Sequence, residues 1–127
     1  MGTLYLVRHG QASFGAADYD NLSDLGARQC RRLGLHFQAR GQRFDAVIRG
    51  SLRRHAQSLA ALREGLGHGL ADGQGQAPAE TVFDSLNEYD SAAVVRAVHP
   101  APLPPATSPD AYRHHFRVLR QGLAAWM

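Results

Sequence analysis

An arginine, a histidine and a glycine stand together near the start of the chain, directly after a short apolar run. The run is Leu-Tyr-Leu-Val at residues 4–7, and the triplet is Arg8-His9-Gly10. A neutral imidazole can attack phosphorus, and a guanidinium group can hold phosphate oxygens through two parallel hydrogen bonds. Glycine lets the backbone turn sharply and approach a bound anion closely. These residue types in this order therefore indicate chemistry on a phosphate group.

The apolar run before the triplet predicts a buried strand of a parallel sheet. A second apolar run at residues 44–48 predicts another strand, and apolar residues at helical spacing over 52–66 predict the helix after it. A strand-helix-strand-helix order is typical of an α/β fold, in which the carboxyl ends of parallel strands share one edge. We therefore expect the triplet and the start of the helix at 52–66 to converge on one ligand.

Two later segments carry related chemistry. Residues 50–59 read Gly-Ser-Leu-Arg-Arg-His-Ala-Gln-Ser-Leu, and residues 86–90 read Leu-Asn-Glu-Tyr-Asp after the strand-like Thr-Val-Phe at 81–83. Together with Arg8-His9-Gly10, these segments resemble the histidine phosphatase superfamily, the phosphoglycerate mutase-like enzymes. The resemblance implies a three-layer α/β/α fold with a mostly parallel sheet, here C-terminally incomplete.

The resemblance also implies a role for individual residues. His9 would be the nucleophile that forms a phosphohistidine, and Glu88 would be the acid that protonates the leaving group and then activates water. Arg8 and Arg54 would bind the phosphoryl oxygens. Gln11 and Ser13 would add neutral hydrogen bonds to the phosphoryl group or the substrate. No cofactor and no metal ion is expected in this mechanism.

The superfamily pattern includes a second histidine, in a His-Gly pair after a later apolar strand. Neither His68 nor His99 has that setting, since a predicted helix precedes His68 and a proline follows His99. The chain ends within a helical pattern that begins at Pro109, just before the point where the superfamily strand would follow. We therefore expect residues 1–127 to be a single but partial domain, cut from a longer chain.

The remaining elements follow from periodicity and capping residues. Ser23 is a predicted N-cap for a helix over residues 24–40, with Cys30 on its apolar side and Gly41 as its stop. Residues 14–21 read as a loop passing over the mouth of the site, and residues 80–84 as a third strand. Residues 91–99 could form a helix or a strand, because their apolar pattern fits neither template cleanly.

The composition bounds the class of protein. The 127 residues are 44% hydrophobic and 20% charged, which is ordinary for one globular domain. All 14 basic side chains other than histidine are arginine, which suits phosphate binding but is equally explained by a GC-rich coding bias. The single cysteine, and the lack of a signal-like or membrane-length apolar segment, favour a cytoplasmic protein without membrane contact.

The function that these features favour is hydrolysis or transfer of a phosphate monoester through a phosphohistidine on His9. The substrate would be a small phosphorylated metabolite, and a homodimer is compatible with the sequence. Phosphatase is favoured over mutase because Gln11 stands where the mutases usually carry glutamate. One alternative is a non-catalytic phosphate-binding or scaffolding domain. A nucleic-acid-binding protein is disfavoured, because no arginine run exceeds two and aromatic residues are not interleaved with the arginines.

Overall fold

The computed structural model describes residues 1–13, 20–67 and 78–127, and these form two compact units, Met1–Asn87 and Glu88–Met127. The elements, in chain order, are helix α1 (Asp24–Ala39), strand β1 (Ala46–Arg49), helix α2 (Arg53–Leu66), strand β2 (Ala79–Val82), a 3-10 turn (Asp84–Leu86), and helices α3 (Ser91–Val98) and α4 (Pro109–Trp126). This mixture of helices with a parallel sheet confirms the α/β class. The three-layer arrangement and the single domain stay predictions.

Helix α1 begins and ends where the sequence predicts. The Ser23 hydroxyl accepts a hydrogen bond from the backbone N–H of Gly26 at 3.0 Å, which satisfies one of the orphan donors of the first turn. At the other end Gly41 has a φ of 62°, a left-handed conformation that glycine adopts without steric cost. Cys30 is buried, as its place on the apolar side predicts.

The two strands of the described sheet run parallel on either side of α2 in the sequence. Ala46 is paired with Ala79 and Arg49 with Val82, so the register has no bulge. The Glu80 carboxylate then ties the sheet to the helix between its strands. It accepts from Arg49 at 2.7 Å and forms an ion pair with Arg63 of α2 at 2.7 Å. The predicted order of strand, helix and parallel strand is confirmed for these elements.

The core of the first unit lies between α1, α2 and β1. Phe37 of α1 and the fully buried Leu66 of α2 form its centre. Phe44 packs edge-on against Phe37, and Tyr5 packs edge-on against both rings with centroids 5.5 Å away. Such aromatic contacts add to the free energy gained from burial alone. Through Tyr5 they anchor the segment that leads to the candidate site.

The prediction of a buried strand at residues 4–7 is wrong. The segment is not a strand in the structure, and Leu4 and Leu6 are 80% and 89% exposed. Within the described part of the chain, no backbone hydrogen bond joins it to β1 or β2. A β-rich sequence forms a strand only when a neighbour completes its ladder. The run contacts the core through the ring of Tyr5, which packs against Phe37 and Phe44.

The second unit consists of two helices. The Asp90 carboxylate caps α3, and Ser108 caps α4 by accepting from the N–H of Ala111 at 3.2 Å. The helices meet where Gly122 of α4 lies against Val94 of α3. Residues 91–98 are thus helical, and the predicted C-terminal helix is confirmed.

Two further predictions concern residues outside the described ranges. Most of the loop predicted over the site falls at residues 14–19, and His68 belongs to the second undescribed stretch, residues 68–77. In the described part of the chain, no helix is both long and apolar enough to span a membrane.

Candidate active site

His9 follows the N-terminal run at residues 4–7 and Arg8, and it is half-buried. One of its ring nitrogens, Nδ1, lies 2.6 Å from the backbone oxygen of Gly10. A carbonyl oxygen only accepts, so Nδ1 must carry the proton and donate it. The lone pair of the neutral ring is then on Nε2. In this tautomer Nε2, the ring nitrogen farther from the backbone, is the atom that could act as a nucleophile.

Gly10 docks the first motif onto both helices of the unit. Its N–H donates to the Ser58 hydroxyl of α2 at 3.0 Å, and both groups are buried. On its other side, a side chain at Gly10 would overlap the backbone of Gly26 in α1. Ser58 stands one helical turn after Arg54, so the two share a face of α2. His9 is therefore held next to the helix face that carries Arg54.

The residues after Gly10 are tied to the start of α1 by backbone contacts. The Gln11 carbonyl accepts from both the N–H and the hydroxyl of Ser23, at 2.9 and 2.8 Å. Ser13 donates its N–H to the Asn21 carbonyl at 2.8 Å. The Gln11 side chain is exposed, as is Arg8. Phosphate binding by Arg8, Gln11 and Ser13 stays a prediction.

Arg54 is a buried cation paired with an acid that the sequence analysis did not select. Only 6% of Arg54 is exposed, and its Nη1 lies 2.9 Å from Oδ1 of Asp20. The same carboxylate accepts from the backbone N–H groups of Arg53 at 2.9 Å and Arg54 at 3.4 Å, so it also caps α2, where Leu52 offers no side-chain cap. Negative charge is favourable at this helix end.

The environment of Asp20 changes its acidity. Burial alone would raise the pKa of this carboxyl group, but the N–H groups of Arg53 and Arg54 and the charge of the Arg54 guanidinium outweigh burial. The pKa of Asp20 is therefore below its ordinary value of 3.8. Asp20 stays ionised at neutral pH and fixes the Arg54 side chain.

His55 is the second residue that sequence analysis missed. The sequence places it in the predicted helix over 52–66 and gives it no role in the site. In the structure its ring is half-buried and its centroid is 5.7 Å from that of His9. Spacing identifies a helix face but not the residue that packs on it, so no signal in the sequence marked this contact. For Asp20, the available signal was an acid shortly before the Leu22-Ser23 helix start.

Glu88 begins the second compact unit and is exposed. Its neighbour Asn87 closes the first unit, where the Asn87 side chain accepts from the N–H of Ser51 at 2.8 Å and donates to the Ser51 hydroxyl at 2.8 Å. Ser51 directly precedes the turn into α2. The proton-donor role of Glu88 stays a prediction.

Comparison with known proteins decides the family. The family model of the histidine phosphatase superfamily (branch 1) matches residues 4–90. The chain belongs to this superfamily. The match spans all three segments that carry the resemblance, from the run before His9 to the stretch around Glu88.

A curated relative within the histidine phosphatase superfamily is a 2,3-bisphosphoglycerate-dependent phosphoglycerate mutase of Methylorubrum populi. It is 33% identical to this chain over an alignment of 94 residues, and the match covers 68% of this chain and 41% of the mutase. The chain thus covers less than half of the length of that mutase. No solved structure matches the chain.

Proposed function

We propose that this chain is a phosphoryl-transfer enzyme that hydrolyses a phosphate monoester through a phosphohistidine on His9. The observation that supports this most is the Gly10–Ser58 hydrogen bond of 3.0 Å, which joins the first motif to the second. It brings the candidate nucleophile to the helix that carries a buried arginine. Membership of the histidine phosphatase superfamily supports the same reaction class.

In the proposed first step, Nε2 of His9 attacks phosphorus and the bond from phosphorus to the ester oxygen breaks. The leaving alkoxide takes a proton, for which Glu88 is the proposed donor. Arg54 and Arg8 would hold the non-bridging oxygens, whose charge a planar guanidinium group matches with two hydrogen bonds. The Nδ1–Gly10 contact favours this step, because it fixes the tautomer with its lone pair on Nε2.

In the proposed second step, water attacks phosphorus and the bond to Nε2 breaks. The water proton goes to the Glu88 carboxylate, which restores the acid for the next cycle and releases inorganic phosphate. Transfer to a second metabolite instead of water would make the chain a mutase. Hydrolysis is preferred because Gln11 replaces the glutamate usual in the mutases. The proposed substrate is a small phosphorylated metabolite of the cytoplasm.

Turnover of para-nitrophenyl phosphate by the 127-residue chain tests this proposal. We expect release of para-nitrophenol by the wild type and none above background by His9→Asn. Arg54→Lys is expected to be slower by roughly 10²-fold, since lysine keeps the charge but loses the fork. Arg32→Lys on the exposed face of α1 is the matched control and should turn over like the wild type. Equal rates in wild type and His9→Asn would refute the proposal, and phosphate binding without turnover would favour a scaffolding domain.

A further inference from the structure

The contact between His55 and His9 brings two imidazole rings to one place. The rings are tilted by 34° with centroids 5.7 Å apart, and a nitrogen of each lies within 4.8 Å of the other. His55 comes from α2 and His9 from the N-terminal segment, so the contact is made by the fold and not by local sequence. A second nitrogen heterocycle beside a candidate nucleophile can take part in its chemistry.

The surroundings of His55 determine which edge of its ring can meet a ligand. Nδ1 has almost no exposed surface, and a side chain at Gly50 would overlap Nδ1 and lie 2.9 Å from Cε1. Because glycine leaves this space open, the ring lies directly on the backbone where β1 turns into α2. Because Nδ1 is packed against this backbone, we assign ligand binding to the other ring nitrogen, Nε2.

The spacing of the two rings fits one phosphoryl group. Once phosphorus is bonded to Nε2 of His9, its oxygens project beyond that ring. A hydrogen bond of about 2.8 Å from the second ring to such an oxygen then lies within the reach of His55. A donor to a charged oxygen contributes more than one between neutral groups. The ligand class is therefore a phosphate monoester or inorganic phosphate.

We propose that His55 is a phosphate-binding residue that donates a hydrogen bond from Nε2 to the phosphoryl group at His9. This inference rests on the proposed function, in which His9 receives that group. It assigns to α2 two donors one residue apart, the Arg54 guanidinium and the His55 imidazole. The start of α2 then holds the anion from two directions.

The test is a titration of the full 127-residue chain with inorganic phosphate, monitored through the ring C–H signals of its histidines by NMR. His9→Asn and His55→Gln assign the two signals, and the exposed His36 on α1 is the internal control. We expect the His9 and His55 signals to shift with one common dissociation constant while His36 stays still. His55→Gln should weaken phosphate binding about tenfold with its circular dichroism unchanged.

The possible outcomes separate the two claims. A shift of His9 without His55 would overturn the role of His55 and leave the phosphohistidine proposal standing. A shift of His55 without His9 would also overturn it, because the anion would not be shared. If neither signal moves, His9 is not at a phosphate site, and the proposed function fails together with the inference.

Discussion

Asp20 acts on the candidate site through Arg54. A buried arginine needs a compensating charge, and Arg54, of which 6% is exposed, has the Asp20 carboxylate at 2.9 Å. The same carboxylate caps α2 through the N–H groups of Arg53 and Arg54. We therefore expect Asp20 to be a positioning residue, because it contacts both Arg54, the proposed phosphate-binding residue, and the start of the helix that carries it.

Replacing Asp20 should cost both stability and activity. We expect Asp20→Ala to lower the free energy of unfolding by about 2 kcal/mol, since it removes a carboxylate that contacts both a buried charge and a helix end. Asp20→Asn should retain most of the stability but slow turnover, because the amide holds Arg54 less firmly. Urea unfolding and phosphatase assays measure the two effects. The exposed Asp45→Asn is the control, and a loss of similar size there would contradict the assignment.

Some residues of the candidate site could be selected from the sequence, and others could not. His9 and Arg54 were selected from the sequence because each belongs to a short motif of residue types that suit phosphate chemistry, and the superfamily match spans both motifs. Asp20 and His55 were not, since each depends on a contact between segments more than thirty positions apart. Helical spacing predicts which residues share a face and gives no information about what packs on that face.

At the level of elements, the start of α1 positions the residues after His9. Ser23 caps α1 and donates its hydroxyl to the Gln11 carbonyl at 2.8 Å, so one side chain joins the helix to the site. The Gly10–Gly26 approach brings the same two segments into backbone contact. The geometry at His9 thus depends on a helix cap.

Loss of this cap should be measurable. We expect Ser23→Ala to lower the free energy of unfolding by about 1 kcal/mol, the usual cost of removing a serine N-cap. Turnover should fall as well, since the Gln11 carbonyl loses one of its donors. Ser23→Thr keeps the hydroxyl and should restore both values. Thermal unfolding and para-nitrophenyl phosphate assays decide this, and an alanine variant equal to wild type in both would contradict it.

Glu80 connects the sheet to α2, because its carboxylate contacts both Arg49 of β1 and Arg63 of α2. The Arg49 hydrogen bond above all, and then Arg63, hold the pKa of Glu80 below its ordinary value of 4.5 in spite of burial. A carboxyl group with a lowered pKa stabilises the folded state fully above its unfolded pKa. That contribution is lost as the pH falls through the folded pKa. The link between β1, β2 and α2 should therefore weaken below about pH 4.5.

We expect Glu80→Gln to destabilise the chain by about 1 kcal/mol at pH 7, a value kept low because these side chains are partly exposed. The difference from wild type should shrink as the pH is lowered from 5 to 3. Urea unfolding across that range measures it. Glu64→Gln, in the exposed pair with Arg31, should change stability little at any of these values. A constant difference at all pH values would contradict the role of the Glu80 charge.

Most helices and strands could be predicted from the sequence, but the conformations of residues 4–7 and 91–98 could not. The helix at 24–39 and the C-terminal helix have caps and clear periodicity, so local sequence determines their bounds. The run at residues 4–7 has equally strong strand composition but is not a strand. Strand formation requires a hydrogen-bonding neighbour, which local sequence does not specify. Residues 91–98 have an ambiguous apolar pattern, so the sequence alone did not identify them as a helix. In the structure they form α3, which packs against Gly122 of α4.

At the scale of the whole molecule, the chain combines one segment matched by the superfamily model with a helical C-terminal unit. The match ends at residue 90, and the second unit begins at Glu88. The proposed nucleophile His9, the buried Arg54 and the second imidazole, His55, all belong to the first unit. In the proposed mechanism, Glu88 would act in both steps, as the acid when the phosphohistidine forms and as the base when it is hydrolysed.

Labelling of the intact chain by a radioactive phosphoryl donor tests the central claim most directly. The account predicts a label that is labile in acid and stable in alkali, that maps to the peptide containing His9, and that is absent from His9→Asn but retained in His36→Asn. Undiminished labelling of His9→Asn, or an acid-stable label elsewhere in the chain, would contradict it.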